Sequence, residues 1–239
     1  YSFKCMSCNF YFSNLKPGFG QDVSGIEVLR KKNFRKIIRV IKSVKKNPNI
    51  LEIGSGDGYF IEECIKNELS ITGSEASNDA IYRLKNKFGK KISLFKLILP
   101  ESIISQTKKR YDVVIFNDVF EHLKDLDKVI INVSEILKRD GIIIVNLPSS
   151  DGIIFRISEL FMKFGFDKFY DRLWQKNMNS PHLSYFNEKN LKQLFFNNKF
   201  INIKSGSLDS LSMNNFERFR KLYKSSLIAS IISISGFFF

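Results

Sequence analysis

The stretch NILEIGSGDGYF, residues 49–60, decides how the rest of the chain is organised. A short, largely apolar run at 50–53 ends in glycines at alternate positions, Gly54, Gly56 and Gly58, and a helix-like pattern follows. Because glycine has no Cβ, the backbone of such a turn can approach a bound ligand closely. The stretch therefore predicts a strand–turn–helix unit that binds a nucleotide-like ligand.

The glycine spacing separates two nucleotide-binding chemistries. In the dinucleotide fingerprint GxGxxG, the third glycine would fall where this chain has Tyr59. The spacing here is GxGxG, preceded by Glu52. A second acidic residue, Glu75, ends the next predicted strand, and a carboxylate there can accept from both hydroxyls of a ribose. The pair Tyr185 and Lys189 matches the YxxxK of short-chain dehydrogenases, but the glycine spacing opposes that class.

Apolar runs alternate with helical patterns along the chain. Strands are predicted at residues 50–53, 69–74, 92–96, 112–116 and 142–147. Helices are predicted at 24–46, 59–67, 78–88 and 124–138. The last helical pattern ends in Lys138-Arg139-Asp140-Gly141, a basic turn and a glycine stop. The alternation predicts an α/β fold with a Rossmann-like, doubly wound, mostly parallel sheet covered on both faces.

Residues 151–176 interrupt this alternation with an aromatic-rich, cationic and amphipathic insert after the fifth strand. A helix at 188–197 and a strand at 200–204 are predicted next, and the tail from 214 to 235 reads as helical. The insert predicts either a lid over a substrate, in contact with a membrane surface if the substrate is lipid-linked, or a helix packed on the core with solvated lysines. The sequence leaves both open.

The chain divides into an appendage at 1–20, a main domain at 24–210 that includes the lid at 151–180, and an apolar helical tail at 211–239. The final apolar run is shorter than the ~20 residues that cross a bilayer. The first residue is Tyr1, which suggests a fragment, and no signal peptide is visible. With no disulfide framework either, we expect a reducing, cytoplasmic location, with membrane association left open.

The net charge of +14 favours anionic partners such as nucleic acid, an anionic membrane surface or phosphorylated substrates. The alternative is a bias in composition, because Lys, Asn, Ile and Phe are all abundant and the lysines are mostly scattered. The charge therefore narrows the class of partner without identifying one.

Five segments in order resemble the class I S-adenosylmethionine-dependent methyltransferases. LEIGSGDG resembles the first motif of that family, and ITGSEAS resembles its second-strand acidic motif. YDVVIFNDVFEHL, residues 111–123, is similar to the fourth-strand motif of the subgroup that contains the ubiquinone-biosynthesis O-methyltransferases. LKRDGIIIVNLPS at 137–149 and the segment at 180–200 resemble the fifth strand and the approach to the sixth. The resemblance covers about residues 24–205 and implies S-adenosylmethionine as cofactor.

The resemblance also implies which residues bind the cofactor. They follow the first, second and fourth strands: Glu52, Gly54, Ser55, Gly56, Gly58, Glu75, Ala76 and Asn117. Glu52 and the glycines would surround the methionine end, Glu75 would hold the ribose, and Asn117 would lie near the sulfonium. Glu52 has an alternative role, which is to support the loop without touching the ligand. For the adenine, Leu97, Ile98 and Leu99 offer only apolar packing and backbone groups.

The only two histidines of the chain both fall in candidate active-site loops. A hydroxyl acceptor benefits from a base, and histidine titrates near neutrality. His122 follows the fourth strand, where open α/β sheets bind ligands, and is the better base candidate; His182 follows the insert. The alternatives are that His122 organises its loop near Asp118 or Glu121, and that His182 packs or caps the insert.

Cys5-x2-Cys8 resembles one knuckle of a zinc ribbon, which related sugar and envelope methyltransferases carry. Tetrahedral zinc needs four ligands, and a second CxxC does not occur, since Cys64 lies in the helix after the glycine turn. We therefore expect no metal here unless a missing knuckle is restored.

The leading hypothesis is a methyltransferase for a small-molecule, sugar, lipid-linked or quinone-like acceptor, most plausibly acting on oxygen in envelope-sugar or secondary biosynthesis. One alternative is an RNA methyltransferase, which the charge favours; the loop FNDVFEHL is not an NPPY-type motif for flipped bases, so a nucleic acid partner is disfavoured. Another is a non-catalytic protein that binds S-adenosylmethionine. The intact GxGxG with Glu75 opposes it. Peripheral membrane contact stays open, and the sequence is silent on oligomeric state.

Overall fold

The computed structural model describes residues 1–20, 27–101, 103 and 105–210. Within them the strands are β1 Ser2–Lys4, β2 Tyr11–Ser13, β3 Asn49–Ile53, β4 Ser70–Glu75, β5 Ser93–Lys96, β6 Tyr111–Asn117, β7 Leu137–Asn146 and β8 Ser184–Tyr185. The helices are α1 Glu27–Val44, α2 Tyr59–Lys66, α3 Asn78–Phe88, α4 Leu126–Ser134, α5 Ile153–Lys163, α6 Asp167–Leu173 and α7 Glu188–Asn197.

Five strands form one parallel sheet in the order β5-β4-β3-β6-β7. The first of these strands in the chain, β3, lies in the middle, paired with β4 on one side and β6 on the other. The strand order therefore reverses beside β3. In open α/β sheets, ligands bind at such a reversal, outside the carboxyl ends of the strands. The sheet confirms the predicted Rossmann-like fold.

Alternate residues of the central strands face two separate apolar cores. Ile50 and Val113 pack with side chains of α1, α2 and α3 on one face. Leu51 and Val114 pack with α4 and α7 on the other. All four side chains are at most 1% exposed, and each such burial contributes roughly 1.5–3 kcal/mol to stability. The two cores fix the strand ends, and with them the loops that form the site.

Two predicted elements differ from the structure. The helix predicted at 124–138 ends at Ser134. The predicted basic turn and glycine stop, Lys138 to Gly141, lies instead in the first half of β7. The pairing of β7 with β6 shifts register there, so a polar stretch joins the strand. The strand predicted at 200–204 does not form, because Ile201 and Ile203 are exposed and pair with no strand among the described residues. The tail at 211–239 and its predicted helix lie outside the described residues.

A second, antiparallel sheet has the order β1-β2-β8. It joins the amino-terminal hairpin to a two-residue strand that follows α6. A buried aromatic cluster holds α5 and α6 against this sheet: Tyr11, Phe155, Tyr170, Trp174 and Tyr185. The predicted boundaries of the appendage and the lid stay predictions. Among the described residues, no helix combines the length and apolarity needed to span a membrane.

Candidate functional site

The glycine turn lies between β3 and α2, and all three of its glycines have positive φ: Gly54 at 75°, Gly56 at 51° and Gly58 at 77°. Side chains other than glycine rarely adopt this conformation. A Cβ on Gly54 would lie 2.5 Å from Val119, and one on Gly58 would lie 2.5 Å from the Phe88 ring. A Cβ on Gly56 would meet nothing within 4 Å. Gly54 and Gly58 therefore allow packing, whereas Gly56 faces open space.

Glu75 at the carboxyl end of β4 is hydrogen-bonded to the glycine turn. Its Oε2 accepts from the backbone N–H of Gly56 at 2.9 Å, and its Oε1 accepts from that of Ala76 at 2.8 Å. The backbone N–H of Ser55 donates to the carbonyl of Ser74 at 3.0 Å. The carboxylate keeps lone pairs for further donors, because each oxygen accepts one bond here. The turn and the acidic residue thus form one rigid edge.

Glu52 and Asn117 lie behind this edge, on adjacent strands. Asn117 Nδ2 donates to Glu52 Oε1 at 3.0 Å, and both side chains are buried. Burial raises the pKa of Glu52 to about 8, although the bond from Asn117 acts in the opposite direction. Glu52 therefore carries a proton at neutral pH, when it can both donate and accept. This favours the supporting role over a purely electrostatic one.

The residues at this edge fit S-adenosylmethionine. The open space beside Gly56 allows close approach of a ligand to backbone, and Glu75 offers acceptors for ribose hydroxyls. Oδ1 of Asn117 is buried and has no hydrogen-bond partner among the described residues. Buried polar atoms rarely stay unpaired, so this oxygen is suited to a donor on a ligand, such as the ammonium of a methionine moiety.

Helix α1 closes the far side of the edge. Arg30 Nη2 lies 3.4 Å from Asp118 Oδ2, and both side chains are about one-third exposed. Asp118 follows β6 directly and has a φ of 55°. An exposed ion pair of this kind contributes little to stability, roughly 0–1 kcal/mol. The pair ties α1 to the start of the loop that follows β6.

The two histidines lie together although 60 positions separate them. Their ring centroids are 4.7 Å apart. His122, which is half-buried, donates from Nδ1 to the Pro181 carbonyl at 2.9 Å, which leaves the lone pair of the neutral ring on Nε2. The carbonyl comes from the segment after α6, so this segment sets the orientation of the ring. The structure thus joins the loop after β6 to the segment that directly follows the predicted lid.

His182 is enclosed in a hydrogen-bond chain. The Tyr185 hydroxyl donates to the Leu173 carbonyl at 2.8 Å and therefore accepts from His182 Nδ1 at 2.9 Å. Gln175 Nε2 donates to His182 Nε2 at 3.0 Å. Burial lowers the pKa of His182 to about 3. A neutral, fully bonded ring is poorly suited to accept a proton, which favours the packing role for His182 and leaves His122 as the base candidate.

Glu121 completes a group that could hold a cation. Ligand atoms of Glu121, His122 and His182 lie within 4.8 Å of one another. Glu121 is 1% exposed, and burial raises its pKa well above the ordinary value. Nε2 of His182 already accepts from Gln175. A divalent ion would therefore have to displace both the Glu121 proton and the Gln175 amide.

Sequence reasoning assigned no role to Arg30 or Gln175. It named Glu121 only as a possible partner of His122, and Tyr185 only in the rejected YxxxK match. Glu121 precedes His122 in FNDVFEHL, so the paired motif was a readable signal. Arg30, Gln175 and Tyr185 reach the site only through long-range packing, for which no local pattern exists. Cys5 and Cys8, where we expect no metal unless a missing knuckle is restored, lie between β1 and β2, and both are free thiols.

Comparison with known proteins decides the family. The family model described as "Methyltransferase domain" matches residues 27–204, most of the chain. The chain belongs to this methyltransferase family. The match confirms the enzyme class expected from the glycine turn, with S-adenosylmethionine as the cofactor of that class.

The relatives of this methyltransferase domain are partial matches. A ubiquinone biosynthesis O-methyltransferase of Pelagibacter ubique is 33% identical over 122 residues, 48% of this chain and 49% of that protein. A malonyl-[acyl-carrier protein] O-methyltransferase of Ilyobacter polytropus is 27% identical over 139 residues, 57% of this chain and 47% of that protein. The chain spans about half the length of the curated relatives it matches.

A solved structure supports the fold. A SAM-dependent methyltransferase of Thermotoga maritima, described as a possible histamine N-methyltransferase, aligns with a TM-score of 0.50. The alignment covers 74% of this chain and 73% of that one, at 17% identity. At this identity the likeness concerns the fold of the methyltransferase domain and not its acceptor.

Proposed function

We propose that this chain transfers a methyl group from S-adenosylmethionine to a hydroxyl of a small-molecule acceptor. The observation that carries the proposal is the joint edge of Gly56, Glu75 and Asn117 at the reversal of the sheet, with His122 on the loop that follows Asn117. Two curated relatives are named O-methyltransferases, which supports oxygen as the methylated atom.

In the proposed reaction the cofactor supplies the reactive methyl group, and the protein binds and aligns the reactants. S-adenosylmethionine, when bound, supplies a methyl group on a positively charged sulfur, which is already a good electrophile. The turn at Gly56 and the Glu75 carboxylate orient the ligand, and the protonated Glu52 holds Asn117 in place. Much of the rate then comes from alignment of the acceptor.

His122 would accept the hydroxyl proton during attack. Its Nδ1 is held by the Pro181 carbonyl, so the basic lone pair is on Nε2. A base at this place contributes typically 10²–10⁴-fold, by order of magnitude. The segment after α6 positions the base and covers the loop, which supports its assignment as part of a substrate lid.

The acceptor can be proposed more narrowly than as any small-molecule hydroxyl. We infer a quinone-like, sugar or lipid-linked hydroxyl compound, and a role in envelope-sugar or secondary biosynthesis. The apolar side chains that the α5–α6 segment leaves exposed, such as Leu160 and Phe166, support an acceptor with apolar character. A zinc ribbon that would include Cys5 and Cys8 stays a prediction. An RNA acceptor has less support, because the charges are scattered and the half-buried His122 faces a compact, aromatic segment.

Methyl transfer can be measured directly with the full chain and methyl-labelled S-adenosylmethionine. The acceptors would be a catechol-type polyprenyl quinol precursor, a polyprenyl-linked sugar, a free sugar and a short RNA. Label in a quinol or sugar product, cleavable as a methyl ether, supports the proposal. Label in RNA alone would replace it with the nucleic acid alternative, and label in no acceptor despite cofactor binding would support a non-catalytic binding protein.

A further inference from the structure

The turn between α5 and α6 exposes an unusual run of residues. Met162 through Lys168 are seven consecutive exposed residues, and Gly165 stands in the middle at a φ of 83°. Phe164 is 71% exposed and Phe166 is 65% exposed. Two phenylalanines presented to solvent on one turn form an apolar tip, and such clusters commonly mark binding surfaces.

The outer face of α5 continues the tip. Ile153 and Leu160, seven residues apart, are exposed there, with Leu160 at 52%. Arg156 and Lys163 are exposed on the same helix, so cationic side chains alternate with apolar ones. The inner face is anchored in the aromatic cluster around Phe155, described above. The tip is therefore displayed by a packed helix.

Cations without acidic partners surround the tip. Within the described part of the chain, Lys163, Lys168 and Arg172 take part in none of the ion pairs, whereas Lys176 is paired with Asp171 at 2.7 Å. Lys168 and Arg172 lie one helical turn apart and line one shallow pocket. Two acidic groups lie in this region, the exposed Asp167 and Asp171, whose charge is paired with Lys176. The balance at the tip is positive, as is the chain as a whole at +14.

We propose that this surface, residues 160–172, docks on an anionic phospholipid membrane, with Phe164 and Phe166 in the interface and Lys168 and Arg172 on the headgroups. Apolar side chains flanked by unpaired cations are what an anionic bilayer surface binds. A second copy of the chain is a poorer occupant, because it would bring another +14 of charge. The docking does not require methyl transfer, so the two can fail separately.

The single tryptophan of the chain makes the test sharp. Trp174 is 2% exposed, so its fluorescence should be insensitive to brominated acyl chains in the parent protein. A Phe164→Trp variant adds a second tryptophan at the tip. Mixed with phosphatidylglycerol–phosphatidylcholine vesicles that carry bromines near the interface, the variant should show quenching and a blue shift that the parent lacks. Pure phosphatidylcholine vesicles should give little of either.

Two further variants separate the apolar and electrostatic parts. F164S/F166S should lower the vesicle partition coefficient by at least about tenfold, since each phenylalanine loses its burial. K168A/R172A should lower it about tenfold or more on anionic vesicles, and added salt should weaken the parent in the same way. K45A/K46A is the control, because it also removes two positive charges but at positions remote from the tip in the sequence. This variant should bind vesicles nearly as the parent does.

Four outcomes would overturn the proposal. The first is vesicle binding that F164S/F166S leaves unchanged, and the second is the absence of binding to anionic vesicles by the folded parent. The third is a tryptophan at 164 that is shielded from acrylamide before lipid is added, because another part of the chain or a second copy then covers the tip. The fourth is salt-sensitive binding of single-stranded RNA by the tip, in which F164S/F166S abolishes RNA binding but leaves vesicle binding at the parent level. Quenching of Phe164→Trp by anionic vesicles, lost in K168A/R172A, supports it.

Discussion

Glu52 Oε1 accepts a hydrogen bond from Asn117 Nδ2 at 3.0 Å, which ties the strand before the glycine turn to the strand before the loop that carries His122. Both residues are on the same face of neighbouring parallel strands, and both are buried. A carboxyl group in such a place prefers to be neutral. The relationship couples the protonation of one side chain to the geometry of the whole site.

The raised pKa of Glu52 predicts a particular dependence of stability on pH. The folded state holds this proton up to about pH 8, whereas the unfolded chain releases it near the ordinary value of 4.5. Stability contributed by Glu52 is therefore present below pH 4.5 and is lost as the pH rises towards 8, by about 1 kcal/mol per pH unit. Glu52→Gln should flatten this part of the profile, as measured by urea unfolding between pH 5 and 8.

The difference in unfolding free energy between the parent and Glu52→Gln separates the contribution of Glu52 from those of other buried groups. His182 acts in the opposite direction, because its lowered pKa of about 3 makes the fold lose stability as the pH falls below 6.5. This contribution is common to the parent and to Glu52→Gln, so it cancels. Parallel profiles for the two proteins would contradict a protonated Glu52.

The glycines of the turn should differ in what their substitution costs. Gly58→Ala brings a Cβ to 2.5 Å from Phe88 at a φ of 77°, so we expect a loss of stability of about 3 kcal/mol. Gly56→Ala meets no atom within 4 Å and should cost about 1–2 kcal/mol from its backbone conformation alone. The same Cβ points into the ligand's space, so the affinity for S-adenosylhomocysteine should fall about tenfold. Urea unfolding and calorimetry measure the two effects.

Equal losses of stability for Gly56→Ala and Gly58→Ala would show that the turn is packed throughout and has no open side. Unchanged affinity of a folded Gly56→Ala protein would place the cofactor elsewhere. Gly165→Ala, a positive-φ glycine at the α5–α6 turn with nothing within 4 Å, is the matched control for the backbone cost alone.

Local patterns predicted the parts of the fold that depend on neighbouring residues. The positive-φ turn at Gly54 to Gly58 and helix α7 follow from glycine spacing and periodicity. Ile201 and Ile203 have the alternation of a strand, yet no partner strand in the described part of the chain reaches them. A strand needs a neighbour, which local sequence does not specify. For the same reason the pairing of β2 with β8 was not foreseen.

In the candidate site, too, the residues near one another in sequence could be predicted and the long-range contacts could not. Glu75 and the glycines could be read from the sequence because they follow consecutive strands. The contact between the loops of His122 and His182 depends on a carbonyl at Pro181, which comes from a segment that is remote in sequence. Burial also distinguishes the two histidines, because it lowers the pKa of His182 to about 3 whereas His122 is only half-buried. The extent of burial of each ring cannot be read from the sequence.

The two histidines should respond differently to alanine. His122→Ala should lower kcat by about 10²-fold or more while the affinity for the cofactor and the stability stay near the parent values. His182→Ala removes two side-chain hydrogen bonds from a buried chain and should lower the free energy of unfolding by about 2 kcal/mol. Steady-state kinetics with a methylated acceptor and urea unfolding distinguish the two effects.

Partial rescue of His122→Ala by added imidazole would support its role as a base. Loss of parent activity on treatment with EDTA, restored by Mg²⁺ or Mn²⁺, would contradict that role. In that case His122 would be acting as a cation ligand with Glu121 and His182, whose donor atoms lie within 4.8 Å. A stability loss for His122→Ala as large as that of His182→Ala would instead show that it organises its loop.

Binding of the cofactor product at the Glu75 edge tests the central claim most directly. Calorimetry would compare S-adenosylhomocysteine binding by the parent, by Glu75→Gln and by Asp79→Asn, which removes an equal charge from an exposed residue in the first turn of α3. We expect one site in the parent, about 10–100-fold weaker binding in Glu75→Gln, and little change in Asp79→Asn. No binding by the folded parent, or equal affinity in parent and Glu75→Gln, would contradict a cofactor site at this edge.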